Sequence, residues 1–373
     1  MKIEINREEF LSVFQTAASI SPTRSPKPIL QNVKLIAEES AATLLATDME
    51  IGVRLNVPGV SVDTPGKCIL PVQRFNSVLR ESSDETLSIE TDDSGSIVKG
   101  KNSKFRLPAE NPDEFPDIID FEEESYFEVP ANLLKQMIRR TLFATDAESA
   151  RFALGGILLE VDNDQLVAVG TDGRRLAKME GPLKKVGTPP QNESKTIVPT
   201  KSMQSIDRAL PDRDEPVQFV SKANDVLVRF SQGVISSRLV EGRFPPWRDV
   251  FPKRDSAVTI NLNVGPVFSA VRQAAIVTSE ESRGIDLTFG KGSLVMTGNT
   301  ADVGESRVEM PIPFDGEEIV LTLDHRYFSD FLKVLEPQAT FQMEIENSEG
   351  AAICSTDDGY GYVIMPLSRD RRK

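Results

Sequence analysis

The sequence predicts an α+β fold built from three similar repeats, each with two helices packed on antiparallel β-sheets, within 373 residues. Three observations predict it. Helix-like apolar periods occur six times, and the first, third and fifth begin near residues 7, 131 and 264, the others near 72, 200 and 325. A threonine at a strand end recurs in Ala46-Thr47-Asp48, Gly170-Thr171-Asp172 and Met296-Thr297-Gly298, at steps of 124 and 126. A Phe-Pro pair closes two repeats, Phe115-Pro116 and Phe244-Pro245, 129 apart. Domains are therefore expected at 1–124, 125–253 and 254–373.

The helices follow from apolar spacing of three and four residues. Arg7–Ser19 sets Phe10, Leu11, Val13 and Phe14 on one side. Val72–Glu81 carries Phe75, Val78 and Leu79. Ala131–Ala144 follows Pro130 and carries Leu133, Leu134, Met137, Ile138 and Leu142. Thr200–Leu210 follows Pro199, a helix-entry signal. Val264–Val277 is the fifth. The sixth, His325–Leu335, has Asp324 as its N-cap.

Strands fill most of the remainder, as short β-branched runs between turn residues. They are Thr43–Ala46, Gly52–Val57, Thr86–Glu90, Ile157–Val161, Leu166–Gly170, Val226–Phe230, Ser293–Thr297, Glu318–Leu323 and Tyr362–Met365. Connections such as Glu122–Ser125 and Pro252–Ser256 are short, which predicts rigid juxtaposition of the repeats.

Composition excludes several function classes. One histidine and two cysteines, Cys68 and Cys354, are too few for a four-ligand zinc site or a disulfide framework. The cysteine poverty fits a reducing, cytoplasmic setting. No metal or other cofactor is expected. The start, MKIEINREEF, lacks the apolar core of a signal peptide, and no run approaches the length that spans a membrane. The net charge is −14, so the chain would not hold nucleic acid by charge alone. The charge is uneven, however. The six helical windows hold eleven basic and five acidic residues, a balance of +6 that leaves −20 on the rest. That contrast predicts helices facing something anionic.

Catalytic motifs are weak. Gly95-Ser96-Ile97-Val98-Lys99-Gly100-Lys101 fits a phosphate loop in part, but Asn102 replaces the metal-binding hydroxyl. The residues after it alternate like a strand, so a hairpin with a basic edge is expected. The carboxylates of Asp92-Asp93, Glu122–Glu124 and Asp357-Asp358 lie in turn-like sequence and read as solvated loops. His325 reads as a surface residue at a helix start. The apolar-plus-basic runs Thr171–Leu176, Arg243–Trp247 and Tyr362–Leu367 admit two readings. One is ordinary core and interdomain packing. The other is a shallow apolar pocket at the boundary of the second and third repeats that receives a peptide.

The runs Thr171-Asp172-Gly173-Arg174-Arg175-Leu176, Glu241-Gly242-Arg243-Phe244-Pro245, Tyr362-Val363-Ile364-Met365-Pro366-Leu367 and Lys27-Pro28-Ile29-Leu30-Gln31-Asn32-Val33 together resemble the bacterial β sliding clamps, the processivity subunits of DNA polymerase III. The resemblance covers essentially residues 1–368. It implies the DNA clamp fold: two chains closed head to tail into a ring, helices lining the hole, and no catalysis. Duplex DNA would be encircled without sequence preference. The replicative polymerase subunit, the clamp loader and other partners would dock through short Gln/Leu/Phe motifs. By the same resemblance, the peptide pocket would comprise Leu154, Thr171, Gly173, Arg174, Arg175, Leu176, Pro245, Val250, Tyr327, Val363, Met365, Pro366 and Leu367. Arg175 would shape its rim as an exposed ion-pairing group. DNA contacts would come from Arg24, Arg151 and Phe152, and from the basic helix residues Lys135, Arg139, Arg140 and Lys201. The homodimer contact would join Lys104, Phe105, Arg106 and Leu107 to Ile276, Val277, Asp302 and Glu305 of the other chain. Departures from relatives are Asp249, where many are basic, Ser282, where some are apolar, and the tail Ser368–Lys373, expected to be solvated.

Overall fold

The computed structural model describes residues 1–92, 95–108, 110–148, 152–189, 196–251 and 257–368. The first repeat runs β1 (Lys2–Asn6), α1 (Arg7–Ala18), β2 (Asn32–Ala37), β3 (Ala42–Thr47), β4 (Ile51–Asn56), β5 (Val60–Thr64), β6 (Gly66–Pro71), α2 (Val72–Glu81), β7 (Thr86–Asp92), β8 (Gly95–Lys99) and β9 (Lys104–Pro108). The second runs β10 (Tyr126–Pro130), α3 (Ala131–Leu142), β11 (Gly156–Asp162), β12 (Gln165–Thr171), β13 (Arg175–Pro182), β14 (Lys184–Val186), β15 (Thr196–Pro199), α4 (Thr200–Ala209), β16 (Pro216–Ser221), β17 (Asp225–Phe230) and β18 (Gly233–Arg238). The third runs β19 (Val258–Asn263), α5 (Val264–Ala274), β20 (Gly284–Gly290), β21 (Ser293–Thr300), β22 (Gly304–Pro311), β23 (Ile319–Asp324), α6 (His325–Lys333), β24 (Thr340–Ile345), β25 (Ala352–Ser355) and β26 (Tyr360–Ile364).

All six expected helices form, and every strand read from the sequence lies within or beside an observed one. The fifth helix ends early, because Ala275–Val277 tightens into a 3₁₀ turn. Each repeat also starts alike. The first N–H of α1, α3 and α5 donates to the carbonyl of Glu85, Glu215 and Ala339 respectively, at 2.8, 2.8 and 3.0 Å. The threonine repeat needs correction in the third copy. Thr297 sits mid-strand, opposite Arg307 and Asp286. The strand glycines give the true phase: a Cβ on Gly170 or Gly298 would stand 2.3 or 2.6 Å from the carbonyl of Thr141 or Ala274, at the end of the first helix. The counterpart of Thr171 is therefore Asn299.

The described residues gather into two compact units, Met1–Leu134 with Leu183–Leu239, and Lys135–Pro182 with Val240–Lys373. In the first, β5-β1-β7-β8-β9 form one sheet and β14-β10-β16-β17-β18-β4-β3-β2-β6 another. The longer sheet crosses a repeat boundary, because β18 pairs antiparallel with β4. Phe10, Phe14 and Phe75 bring α1 and α2 together through ring contacts of 4.9–6.1 Å. In the second unit, one sheet runs β11-β12-β13-β26-β25-β24-β19 and the other β22-β21-β20-β23. Here β26 of the third repeat pairs with β13 of the second. Phe331 of α6 stacks on Tyr360 and Tyr362 of β26, at 5.6 and 5.1 Å. Among the described residues no helix is long and apolar enough to cross a membrane.

Candidate functional site

The turn between β12 and β13 organises the site. The Asp172 carboxylate accepts from the N–H groups of Arg174 and Arg175 at 2.9 and 3.0 Å. The Thr171 hydroxyl donates to the Arg175 carbonyl at 2.6 Å and accepts from Gly173 N–H at 3.1 Å. Gly173 has φ +86°, a left-handed conformation, with nothing within 4 Å of an added Cβ. Its place is set by backbone conformation, not by crowding. Thr171 is buried with its hydroxyl spent on this turn, so its part in the site is structural.

The strand pair then assembles the floor. Leu176 stands opposite Val363, and Arg175 opposite Ile364. Directly opposed residues share a sheet face, so Leu176 and Val363 point the same way. Both are buried, as is Leu154 in the 3₁₀ turn Phe152–Gly155. Beyond β26, Met365 N–H donates to the Arg174 carbonyl at 3.0 Å and Leu367 N–H to the Thr322 carbonyl at 2.9 Å. These bonds fix Met365, Pro366 and Leu367 in place. Met365 is 47% exposed, and Leu367 and Val250 are 38% exposed. A soluble surface rarely gathers large apolar side chains without a use for them.

The segment bearing Pro245 and Val250 is clipped from two sides. Trp247 Nε1 donates to Glu160 at 3.3 Å, and Arg248 pairs with Glu160 and Asp162 at 2.7 and 3.1 Å. The Phe251 ring lies over β26, 3.0 Å from where a Cβ on Gly361 would stand. Asp249 is exposed on this segment.

Arg175 departs from its expected role. Its side chain is only 10% exposed. Nε donates to Asp172 at 3.0 Å, Nη1 to Asp330 at 2.8 Å and Nη2 to the Phe143 carbonyl at 2.5 Å. The guanidinium also lies 4.3 Å from the Tyr327 ring centroid. Tyr362 Oη donates to the Tyr327 carbonyl at 2.9 Å, and burial pushes the Tyr362 phenol far up, so it keeps its proton. Arg175 thus ties the end of α3, the β12–β13 turn and α6 together, while Arg174 is exposed. Phe143, Asp330, Tyr362 and Thr322 were not read as site residues. Only Tyr362 lay in a run the sequence singles out.

The residues expected to contact DNA differ in exposure and in their partners. Arg24, Arg139 and Lys201 are exposed. Lys201 pairs with Asp48, whose carboxyl stays below the usual range because the Lys201 hydrogen bond and two backbone N–H groups outweigh burial. Lys135 is 6% exposed, so it does not present its ammonium to solvent. Arg140 is committed to Asp358 at 2.6 Å and lies over the Tyr360 ring at 5.2 Å. Helical charge counting could not separate these inward cations from outward ones. Arg151 and the tail 369–373 lie outside the described residues, and of Phe152 only the backbone is described.

At the expected dimer contact, Phe105 is 38% exposed and Lys104 and Arg106 are also exposed, but Leu107 is 5% exposed and belongs to the chain's own core. The residues 95–101 form a strand and turn leading into β9, so the phosphate-loop match is the expected hairpin. Ile276 is 75% exposed, and Val303, absent from the sequence reading, is 54% exposed. Val277 is partly buried, and Asp302 and Glu305 are exposed. Ser282 N–H donates to the Ser279 hydroxyl at 3.0 Å.

Other polar groups are more engaged than expected. His325 is half-buried, and its Nε2 lies 3.1 Å from the Thr278 hydroxyl. Asp92 pairs with Arg106 at 3.0 Å and Glu123 with Lys222 at 2.6 Å, so these carboxylates are not merely solvated. Asp93 lies outside the described residues.

Known proteins resemble the chain along its whole length. Residues 1–119, 128–246 and 248–368 match the N-terminal, central and C-terminal domains of the DNA polymerase III beta subunit. The beta sliding clamps of Chlamydia muridarum and Caulobacter vibrioides are 28% and 29% identical, over 98% of this chain and 99% and 100% of theirs. A DNA polymerase III beta subunit from Pseudomonas aeruginosa superposes with a TM-score of 0.88 at 26% identity, over 99% of this chain and 100% of that one. A sliding clamp from the same organism, bound to griselimycin, gives 0.91 at 26% identity over 99% of both chains. With three consecutive domains matched in order and relatives aligned end to end, this chain belongs to the bacterial beta sliding clamp family.

Proposed function

We infer that the chain is a sliding clamp, an accessory subunit that confers processivity on a replicative DNA polymerase by encircling duplex DNA. It acts without catalysis, in the bacterial cytoplasm. One observation carries the ring. The second and third repeats each end in a strand that pairs with the third strand following the first helix of the preceding repeat: β18 with β4, and β26 with β13. The same rule leaves two strands at sheet edges, β9 in the first repeat and β22 in the third. Edges of this kind are templates for a second chain. Pairing β9 of one chain with β22 of another continues the rule and closes two chains of three repeats into a six-domain ring, with domains at 1–124, 125–253 and 254–373. Charge favours the match, since β9 carries Lys104 and Arg106 while the β22 side carries Asp302 and Glu305 beside Glu309, which pairs with Arg307 of the same strand at 3.1 Å. Phe105 on the one side and Ile276 and Val303 on the other are exposed apolar residues that such a contact would cover.

DNA is held by enclosure, so sequence-blind phosphate contacts from Arg24, Arg139 and Lys201 suffice and permit sliding. Polymerase, clamp loader and other partners bind by short segments with Gln, Leu and Phe, on the Leu176–Val363 floor beside Val250, Met365 and Leu367. The test is retention. Loaded by a clamp loader, the protein should stay on closed circular DNA and run off once the circle is cut. Equal retention on both forms would overturn enclosure.

A further inference from the structure

The two inter-repeat joints share one construction. The Thr47 hydroxyl donates to the Ile51 carbonyl and accepts from Met49 N–H, at 2.8 and 2.9 Å, while Asp48 accepts from Glu50 and Ile51 N–H at 3.0 and 2.9 Å. These are the bonds of the Thr171–Arg175 turn. Met49 even holds φ 80°, the left-handed conformation that Gly173 adopts at its place. The following strands continue the match. Gly52 stands opposite Ser236 as Leu176 stands opposite Val363. Arg238 N–H donates to the Glu50 carbonyl at 2.9 Å, as Met365 N–H does to Arg174.

What differs is the occupant. Gly52 has no side chain, and the Ile118 Cγ2 lies 2.9 Å from where its Cβ would stand, beside the Ser236 hydroxyl, also 2.9 Å away. Ile118 is buried in a cluster with Leu45, Ile69 and Phe115. Phe121 shares a buried cluster with Val234, the counterpart of Gly361 under Phe251. Asp120 pairs with Arg54 at 3.2 Å, and Arg229 lies 4.3 Å from the Phe121 ring centroid. The second linker has one more residue between its phenylalanines, Phe244 and Phe251, than the first has between Phe115 and Phe121, and it leaves Val250 exposed.

We propose that the β4–β18 joint is a second peptide site of the same construction, permanently occupied by the chain's own segment Asp117–Phe121, with Ile118 as its plug. Its ligand class is that of the first site: a short extended segment with an aliphatic and an aromatic anchor. This rests on the reading of the β13–β26 joint as the partner-peptide site. It explains why a chain with two such joints offers partners one.

A labelled peptide bearing a Gln, two Leu and a Phe is titrated by calorimetry against the full-length protein. Wild type should bind one per chain, with Met365→Ala weakening it at least about tenfold. Ile118→Ala should bind two per chain, the added site insensitive to Met365→Ala and at least about tenfold weaker, because a Gly and Ser floor offers few apolar atoms. Should Ile118→Ala unfold, the graft Gly52→Leu/Ile118→Ala/Ser236→Val returns the lost volume as a Leu–Val floor and should also bind two. One peptide per chain in the folded graft would overturn the plug. Absence of binding to wild type would instead remove the site assignment, and the plug with it.

Discussion

Arg175 and His325 show what a sequence hides at the level of one side chain. Arg175 sits in a turn whose Thr-Asp-Gly spacing is legible, yet its partners Phe143 and Asp330 lie 32 and 155 residues away. Nothing local distinguishes an arginine on a rim from one spent on three acceptors. Its side chain is 10% exposed, and its removal takes a buried charged donor from Asp172, which keeps two backbone N–H groups, from Asp330, which keeps Lys333 at 3.3 Å, and from the Phe143 carbonyl. Arg175→Ala should cost roughly 2–3 kcal/mol in urea unfolding. Arg175→Lys should still cost about 1 kcal/mol or more, because an ammonium cannot reproduce the planar fork. A loss under about 0.5 kcal/mol for the alanine variant, the range of ordinary surface changes, would refute the tie. His325 is held below the ordinary histidine pKa first by burial, with Arg326 and Arg283 also opposing its charge and Asp324 and Glu280 favouring it. The Thr278 hydroxyl gives its proton to the Ala275 carbonyl at 2.8 Å, so Nε2–H is the donor in the His325 contact. The unfolded chain takes up the proton more readily than the folded one. The stability contributed is full above about pH 6.5 and is lost as pH falls through that value toward the lower folded pKa. Unfolding midpoints between about pH 7.5 and 5.5 should therefore fall less for His325→Gln than for wild type, and equal falls would remove His325 from the pH response.

At the scale of elements, periodicity carried the helices because each buries a stripe of apolar residues, such as Phe75, Val78 and Leu79 on α2. Pattern did not reveal which strands join repeats. The β18–β4 pairing links residues nearly two hundred positions apart, and neither strand carries a mark of its partner. The same blindness misplaced Leu107. Alternation puts Phe105 and Leu107 on one face, but that face runs from solvent at Phe105 to core at Leu107, 5% exposed. A charge at Leu107 would damage the fold, so it cannot report on an interface. Phe105→Asp with Ile276→Asp is the informative pair, since both side chains are exposed in the single chain. A carboxylate buried there without a partner costs several kcal/mol. The double variant should elute as a folded monomer of 41.2 kDa where wild type elutes near twice that mass. A variant that stayed dimeric at micromolar concentration would move the interface away from β9 and β22.

For the whole molecule, composition gives a net charge of −14 and a basic excess on the helices, and that contrast implies helices facing something anionic, while in the sequence enclosure follows only from the family resemblance. The excess was overstated, however, because several helical cations serve the fold. Arg7 donates to the carbonyls of Asp84 and Leu79, Arg140 is committed to Asp358, and Lys135 is buried. Eight of the eleven helical cations, Arg139 among them, are nevertheless exposed, and sequence-blind phosphate contacts from such residues suit a protein that must hold DNA and still move along it. Each phosphate contact releases counterions and steepens the fall of binding with salt by about 0.9 in the logarithmic slope. Arg24 and Arg139 are exposed, so the proposed two-chain ring would present two copies of each. Replacing both by alanine should reduce the slope for a duplex by roughly 3–4 while leaving dimer mass unchanged. Arg140→Ala is the control with the opposite signature. It breaks an ion pair whose arginine is only 12% exposed, so it should lower stability and leave the slope as it was. A slope that responded to Arg140→Ala and ignored the Arg24/Arg139 pair would mean that the inward cations, not the outward ones, meet the DNA, and that the bonds to Asp358 open when the duplex is bound.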